Sequence, residues 1–515
     1  MAHPVLLQRL KQAAIGMLAE IVAGTPLRHV FLGSAQSRVV IFTLHRMADP
    51  TNEISGNDEQ ALRLVLRRIR RLKVPIVGLE DVLDAERGSR QLPPVSVCFT
   101  LDDGYHDQGD VALPLLLAHE AQPTLFLITG FLDGSLWPWD ARVHEFFRLG
   151  PRSTIEIRIG GGKMSFDLRT AESRTEARRS FTALCASVSN ERREHLISAL
   201  AIAVGVQVDL PVPTHHRPMT WSRARDLEKQ GARFGSHSVS HRVFSKLPDS
   251  LAIEELRTSQ DRIQSELSRP LPVFSWPIGR RIDFGVRDLR LASQAGYAAS
   301  VDVFAADHFL GELSADSQHP LLHRHGFPDR PSDVSRLIFA LHSKPGRLQH
   351  RVPRARPRAP DIARVRRLVF VCKGNICRSP YAEARARLLG VDAMSCGILA
   401  APGAEADPAA QRNALLREVD LTAHRSRRLD QIALGPADLL IAMDRSHQRA
   451  VAGAASRTGA QWTDAASWLR MHGGLDSIAD PYGRGDLEFQ RVFDLIDDAV
   501  HSLVAASSST TSAIS

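Results

Sequence analysis

Between Arg366 and Leu389 an apolar run, a short loop and a helical pattern follow one another without a gap. The loop opens on a cysteine and closes on an arginine: Cys372-Lys373-Gly374-Asn375-Ile376-Cys377-Arg378-Ser379-Pro380. Arg366-Arg367-Leu368-Val369-Phe370-Val371 reads as a buried strand. Tyr381-Ala382-Glu383-Ala384-Arg385-Ala386-Arg387-Leu388-Leu389 reads as a helix, with Pro380 near its first turn. Strand, loop and helix therefore stand in the order that attack on a phosphate monoester requires.

The chemistry explains the residue types. A thiolate is the nucleophile, so Cys372 must ionise at neutral pH. A tight loop lets successive backbone N–H groups converge on one anion, here from Lys373, Gly374, Asn375, Ile376, Cys377 and Ser379. Arg378 adds a fork for two phosphate oxygens. Asn375 tolerates left-handed backbone, and Ser379 can donate to the sulfur.

The ten-residue string from Val371 to Pro380 resembles the low-molecular-weight protein tyrosine phosphatase family. The likeness covers residues 365–505 and includes Asp480-Pro481-Tyr482, Leu439-Leu440-Ile441-Ala442-Met443-Asp444 and His424-Arg425-Ser426-Arg427. It implies a doubly wound α/β domain with a central parallel sheet and no cofactor. It also implies that Cys372 forms a phosphocysteine, Arg378 holds the equatorial oxygens, and Asp480 protonates the leaving oxygen and then activates water. Ser395-Cys396-Gly397 departs from the family's Ser-Ala-Gly, a small structural change. The same fold hosts arsenate reductases, an alternative activity that Asp480-Pro481-Tyr482 argues against.

A different chemistry lies upstream. Val95-Ser96-Val97-Cys98-Phe99-Thr100-Leu101-Asp102-Asp103-Gly104 is an apolar strand ending in two carboxylates, the place where α/β barrels carry catalytic groups. His237 and His241 supply His-x3-His, which can share one metal if the backbone turns helically there. One carboxylate and two imidazoles with open positions make a hydrolytic metal site, and the other carboxylate is left to act as base. Both aspartates reach one site only if they lie just past the strand's end, with the turn at Gly104.

Thr100-Leu101-Asp102-Asp103-Gly104, His237 to His241 and Phe274-Ser275-Trp276-Pro277-Ile278-Gly279 resemble motifs of the polysaccharide deacetylase family, the NodB-like fold. Ile41-Phe42-Thr43-Leu44-His45-Arg46 is similar to its opening strand, and Ala295-Gly296-Tyr297 to a later helix end. The resemblance covers residues 38–327 and implies a deformed (β/α) barrel. It implies that Asp103, His237 and His241 bind one divalent ion, zinc by the nitrogen-rich set, and that Asp102 is the base that removes an N-acetyl group. His323 and His325 are candidates for the general acid, and Arg324 for orienting Asp102. His45 reads as a residue that supports the site or the fold, not as a metal ligand. A degenerate sugar-binding half is the alternative to an active deacetylase.

The chain of 515 residues allows two to four domains. The expected plan is a helical segment at 1–37, the deacetylase-like domain at 38–344, a linker at 345–364, the phosphatase-like domain at 365–505 and a disordered tail at 506–515. A helical insertion at 142–208 is placed to cover the sugar site. Helices are expected at 61–72, 79–87, 171–188, 191–204 and 221–231, and a strand at 123–129. The net charge of +8 does not mark a nucleic-acid partner, because eight arginines and one aspartate between Arg347 and Arg367 carry +7 of it. Five scattered cysteines are no disulfide framework, and no apolar run reaches membrane-spanning length, so a cytoplasmic location is expected. The expected partners are an acetylated glycan or sugar precursor and a phosphotyrosine protein such as a polysaccharide-export tyrosine kinase.

Overall fold

The computed structural model describes residues 37–339 and 364–508 except 160–161, 281–282, 306–307, 311–318, 329, 466–477 and 484–485, together with Thr25 and Asp361. The expected segment at 1–37 and nearly all of the linker lie outside the described residues. The chain divides into two compact units, Met1–Gly150 with Val204–Val352, and Pro151–Ala203 with Pro353–Ser515.

Among the described residues the first unit is built on nine strands: β1 (Arg38–Leu44), β2 (Val95–Asp103), β3 (Thr124–Leu127), β4 (Arg233–Ser236), β5 (Val273–Ser275), β6 (Ala299–Val301), β7 (His308–Phe309), β8 (Leu321–Leu322) and β9 (His325–Gly326). Their order is β8-β6-β5-β4-β3-β2-β1-β9, with β7 antiparallel on β1 and the other pairs parallel. Every residue of β1 and β2 is buried, as near-continuous apolar runs require when both sheet faces are covered. β8 and β9 stand at opposite ends of this order, yet only His323 and Arg324 separate them. Three Cα steps hold the two edges within about 11 Å. The sheet is therefore curled into the deformed barrel that the sequence implied.

Helices pack outside it. The helix Glu59–Leu72 buries one stripe, Leu62, Val65, Leu66, Ile69 and Leu72, and is capped by the Asp58 carboxylate on Ala61 N–H. The helices Leu79–Glu86 and Trp221–Lys229 also form where the pattern predicts them.

Among the described residues the second unit has a sheet of four parallel strands, β10 (Arg367–Cys372), β11 (Ala393–Gly397), β12 (Asp438–Ala442) and β13 (Gln461–Asp464), in the order β11-β10-β12-β13. Alternation divides β10 between two cores. Leu368, Phe370 and Cys372 pack with the helices Arg378–Leu388, Pro408–Leu415 and Asp486–Ser508, whereas Val369 and Val371 pack with the helix Gln448–Thr458. This is a doubly wound sheet, and Cys372 ends the strand at which the order reverses. The last helix runs to Ser508, past the point where the sequence placed a disordered tail at 506, because its apolar face continues through Val500 and Leu503 into the core.

The insertion departs from expectation in two ways. It opens with an antiparallel hairpin, Thr154–Ile159 with Gly162–Asp167, before the helices Ala171–Ser187 and Asn190–Val204. Its residues 151–203 also belong to the second unit, although they lie within the sequence of the first.

Candidate active sites

Cys372 closes β10 and is buried. The N–H of Asn375 donates to its sulfur at 3.2 Å and the Ser379 hydroxyl at 3.0 Å. Asn375 takes a left-handed φ of 55°, as its residue type allowed. Its amide nitrogen donates to Ser379 at 2.9 Å and Ser395 at 2.8 Å, and its side-chain oxygen accepts from Arg427 N at 2.8 Å. Ser395 in turn donates to the buried Glu383 carboxylate at 2.6 Å.

The loop's carbonyls are engaged from outside. Those of Cys372, Lys373 and Ile376 accept from Ile398, Leu399 and Asp407 N–H groups at 3.0, 2.9 and 2.8 Å. His424 Nε2 lies 2.8 Å from the Asn375 carbonyl. Tying the carbonyls outward leaves the loop's N–H groups to face inward, the arrangement of an anion nest. Gly397 is needed beside this loop, because a Cβ there would stand 2.7 Å from the Lys373 oxygen.

Arg378 begins the next helix and is almost completely buried. Nη1 donates to Asp444 at 2.7 Å and to the Ile478 carbonyl at 3.0 Å, and Nη2 pairs with Asp480 at 2.8 Å. The structure thus gathers Cys372, the whole 373–379 loop, Arg378 and Asp480 in one place. Sequence reasoning gave no role to Asp444, Glu383 or Ser395. Glu383 was detectable, since it lies four residues after Ser379 on one helix face.

Cys396 packs with Val369 and Val371 on the sheet face opposite Cys372, so the change from alanine is a structural one. Burial pushes its thiol up to about 12. Cys377 shares the core of Cys372, and burial, with Asp407 and Cys372 nearby, holds its thiol well above the ordinary range. Mild peroxide is therefore expected to oxidise Cys372 first, with Cys377 resolving it as a reversible disulfide. Mass spectrometry of the treated protein checks this, and sulfinic acid at Cys372 without a bridged peptide sinks it.

In the first unit Asp102 and Asp103 are the last two residues of β2, paired with Phe126 and Leu127 of β3. They lie within the strand, which corrects the expectation that both follow it. The turn starts one residue earlier than expected, because Asp103 itself takes φ 90° and Gly104 follows at 96°. Gln108, wholly buried and unmarked in the sequence, holds this turn by accepting from Gly104 and Tyr105 N–H at 2.9 Å each.

His237 and His241 follow β4 in a loop, not in a helical turn; left-handed φ values at Ser238 (70°) and His241 (55°) bring their rings to 4.9 Å. Glu255 braces that loop, accepting from Val239 N at 2.9 Å and Ser240 N at 3.0 Å. The two Nε2 atoms lie 3.6 and 3.8 Å from Asp103 Oδ1. His237 Nδ1 lies 2.7 Å from the Ser275 carbonyl, and burial lowers its imidazole to about 4, so it is neutral with Nε2 free to ligate. Burial, with Asp140 and Asp102 nearby, pushes the Asp103 carboxyl well above its ordinary range. A buried carboxyl group beside two imidazoles, with the three ligand atoms within 4.8 Å of one another, fits a divalent cation.

Asp102 has the opposite environment. Burial pushes its carboxyl up, but the guanidinium of wholly buried Arg324 outweighs this and holds it below the ordinary carboxylate range. Arg324 Nη1 and Nη2 grip its two oxygens at 2.9 and 2.7 Å, and the Ser275 hydroxyl adds 3.0 Å. His45 Nε2 lies 3.6 Å from Asp102, on a side chain half exposed to solvent.

The two candidate acids separate. His323 is partly exposed and its Nδ1 lies 2.9 Å from the buried Asp302 carboxylate. His325 is buried in β9, in register with Phe42.

In class, a nucleophilic cysteine in an anion-binding loop at a sheet switch point defines a cysteine phosphatase domain. The curled parallel barrel with paired aspartates beside two histidines defines a deacetylase-type hydrolase domain.

Comparison with known proteins agrees with both. Residues 367–512 match the family of low molecular weight phosphotyrosine protein phosphatases, and the chain belongs to that family. Residues 192–300 match the polysaccharide deacetylase family, a stretch that contains His237 and His241 but not Asp102 or Asp103. The chain is a fusion of two hydrolase domains. It is 32% identical over 145 residues to a probable low molecular weight protein-tyrosine-phosphatase, EpsP of Ralstonia nicotianae, covering 27% of this chain and 94% of that protein. It is 28% identical over 144 residues to the protein-arginine-phosphatase of Bacillus subtilis, covering 26% and 93%. Among solved structures, the Streptococcus pyogenes deacetylase PplD is similar with a TM-score of 0.39 and 14% identity, over 59% of this chain and 99% of that one.

Proposed function

We propose that this protein removes N-acetyl groups from a glycan or glycan precursor with its first unit and phosphate from protein tyrosine with its second. In the second unit Cys372 attacks phosphorus while Asp480 protonates the departing oxygen. Arg378 and the 373–379 amides hold the phosphoryl oxygens. Water activated by Asp480 then releases phosphate from the cysteine. The observation that carries this half is the convergence of Arg378 on Asp480 at 2.8 Å beside the doubly hydrogen-bonded Cys372 sulfur.

In the first unit Asp103, His237 and His241 would hold a divalent ion, with zinc suited to two imidazole ligands. When bound, the ion supplies water activation and oxyanion stabilisation. Asp102 takes the proton of the attacking water, and Arg324 and Ser275 keep it ionised and aimed. His323, oriented by Asp302, returns a proton to the leaving amine. Its contact with Asp302 favours it over His325 in this role. Accordingly His323→Ala is expected to lower turnover about 10²–10⁴-fold, the usual worth of a general acid, and His325→Ala to lower it far less. The reverse ranking, measured on an acetylated glucosamine oligomer, would return the role to His325.

A reducing, cytoplasmic setting suits the thiolate, and no helix among the described residues is long and apolar enough to cross a membrane. Surface-polysaccharide production is the setting we favour. Dephosphorylation of an export tyrosine kinase would join the two activities in one chain. The direct test is the purified chain, with and without added zinc, on acetylated glucosamine oligomers and on an aryl phosphate. Absence of amide hydrolysis with every divalent metal would remove the first activity, and absence of aryl-phosphate turnover the second.

A further inference from the structure

Residues 151–203 interrupt the sequence of the first unit, yet they fold with the second. The chain therefore passes from one unit to the other at 150–151, at 203–204 and at 352–353. A simple tandem fusion would need only the last of these passages.

The segment has its own small core. Phe166 of the hairpin meets Phe181 edge to face at 6.0 Å. The helix Ala171–Ser187 buries Ala177, Phe181 and Leu184 beside it on one stripe, and Val188 is buried just past its end. A segment of about fifty residues is marginal on its own and gains from packing against a neighbour. The missing partner is inside the same unit: the helix Ala171–Ser187 packs against the long helix Asp486–Ser508 of the phosphatase. Arg192, in the second insertion helix, reaches Glu418 at 3.5 Å. EpsP matches this chain over 94% of its own length with 145 residues, too few to include the inserted segment as well.

We propose that residues 151–203 are a docking module, supplied from within the deacetylase sequence, whose partner is the phosphatase helix Asp486–Ser508. The phosphatase is then held by a folded interface as well as by the basic linker at 345–364. Cutting that linker does not release it.

A specific protease site placed at 353–360 tests this in the full-length chain. After cleavage, the phosphatase fragment is expected to co-elute with the remainder in native gel filtration, in low and high salt. Separation of the fragments overturns the proposal. Replacing 151–203 with a Gly-Ser linker is expected to release the fragment after cleavage; co-elution there would assign the holding surface elsewhere and overturn it equally. An independent arm covers failure of that deletion to fold. The five native cysteines are all buried, so Arg192→Cys with Glu418→Cys gives the exposed thiol pair. A short bis-maleimide is expected to join the two cleaved fragments covalently in dilute protein. No cross-link under native conditions counts against the module.

Discussion

Cys372→Ser is expected to reduce aryl-phosphate turnover to background while phosphate-analogue binding survives. Serine preserves the loop, because Asn375 N–H and the Ser379 hydroxyl still find an acceptor at this position. Its hydroxyl stays protonated at neutral pH and is not a nucleophile there. The binding groups, the loop amides and Arg378, are untouched. Asp480→Ala is expected to slow turnover by about 10²–10⁴-fold for a poor leaving group and far less for a good one, since only the former needs a proton in the transition state. A leaving-group series measures this. Equal slowing across it would remove Asp480 from the acid role and leave it as a partner of Arg378.

The two adjacent aspartates of the first unit should respond oppositely to the same change. Asp103→Asn is expected to lose the divalent ion and the activity together, because it removes the one carboxyl group of the three proposed ligands. Asp102→Asn is expected to keep the ion and stop turnover. It also strands Arg324, which is wholly buried and has Asp102 as its charged partner. Breaking a buried pair on one side costs about 3–5 kcal/mol, so the Asp102 variant should also melt lower. The pH sign follows from the depressed Asp102 carboxyl. Its stabilisation is fully present above the unfolded aspartate range, about 3.9, and is lost as pH falls through the lower folded value. Metal content by atomic absorption and denaturant melts of both variants decide the matter. Metal lost from Asp102→Asn and kept in Asp103→Asn would exchange the roles.

The sequence alone determined the parts whose chemistry is local. A buried strand, the Cys372–Arg378 loop and a helix are contiguous, so their geometry follows from short-range sterics and hydrogen bonding. The same holds for the apolar runs of β1 and β2, which could only be strands buried on both faces. The placement of Asp102 beside Arg324 was only a candidate pairing, since 222 residues separate them. The curl that joins β8 to β9 settled it by threading Arg324 into the barrel's interior. The contact between His323 and Asp302, on which the proposed acid role of His323 rests, was likewise invisible in the sequence. Left-handed φ at Asp103, Ser238 and His241 was not legible, because nothing in those residue types requires it and the surrounding contacts impose it. The allegiance of 151–203 was hidden for the same reason. A helical pattern shows that a face will be buried, but the pattern is satisfied by any apolar partner, and only the tertiary structure decides which one it meets.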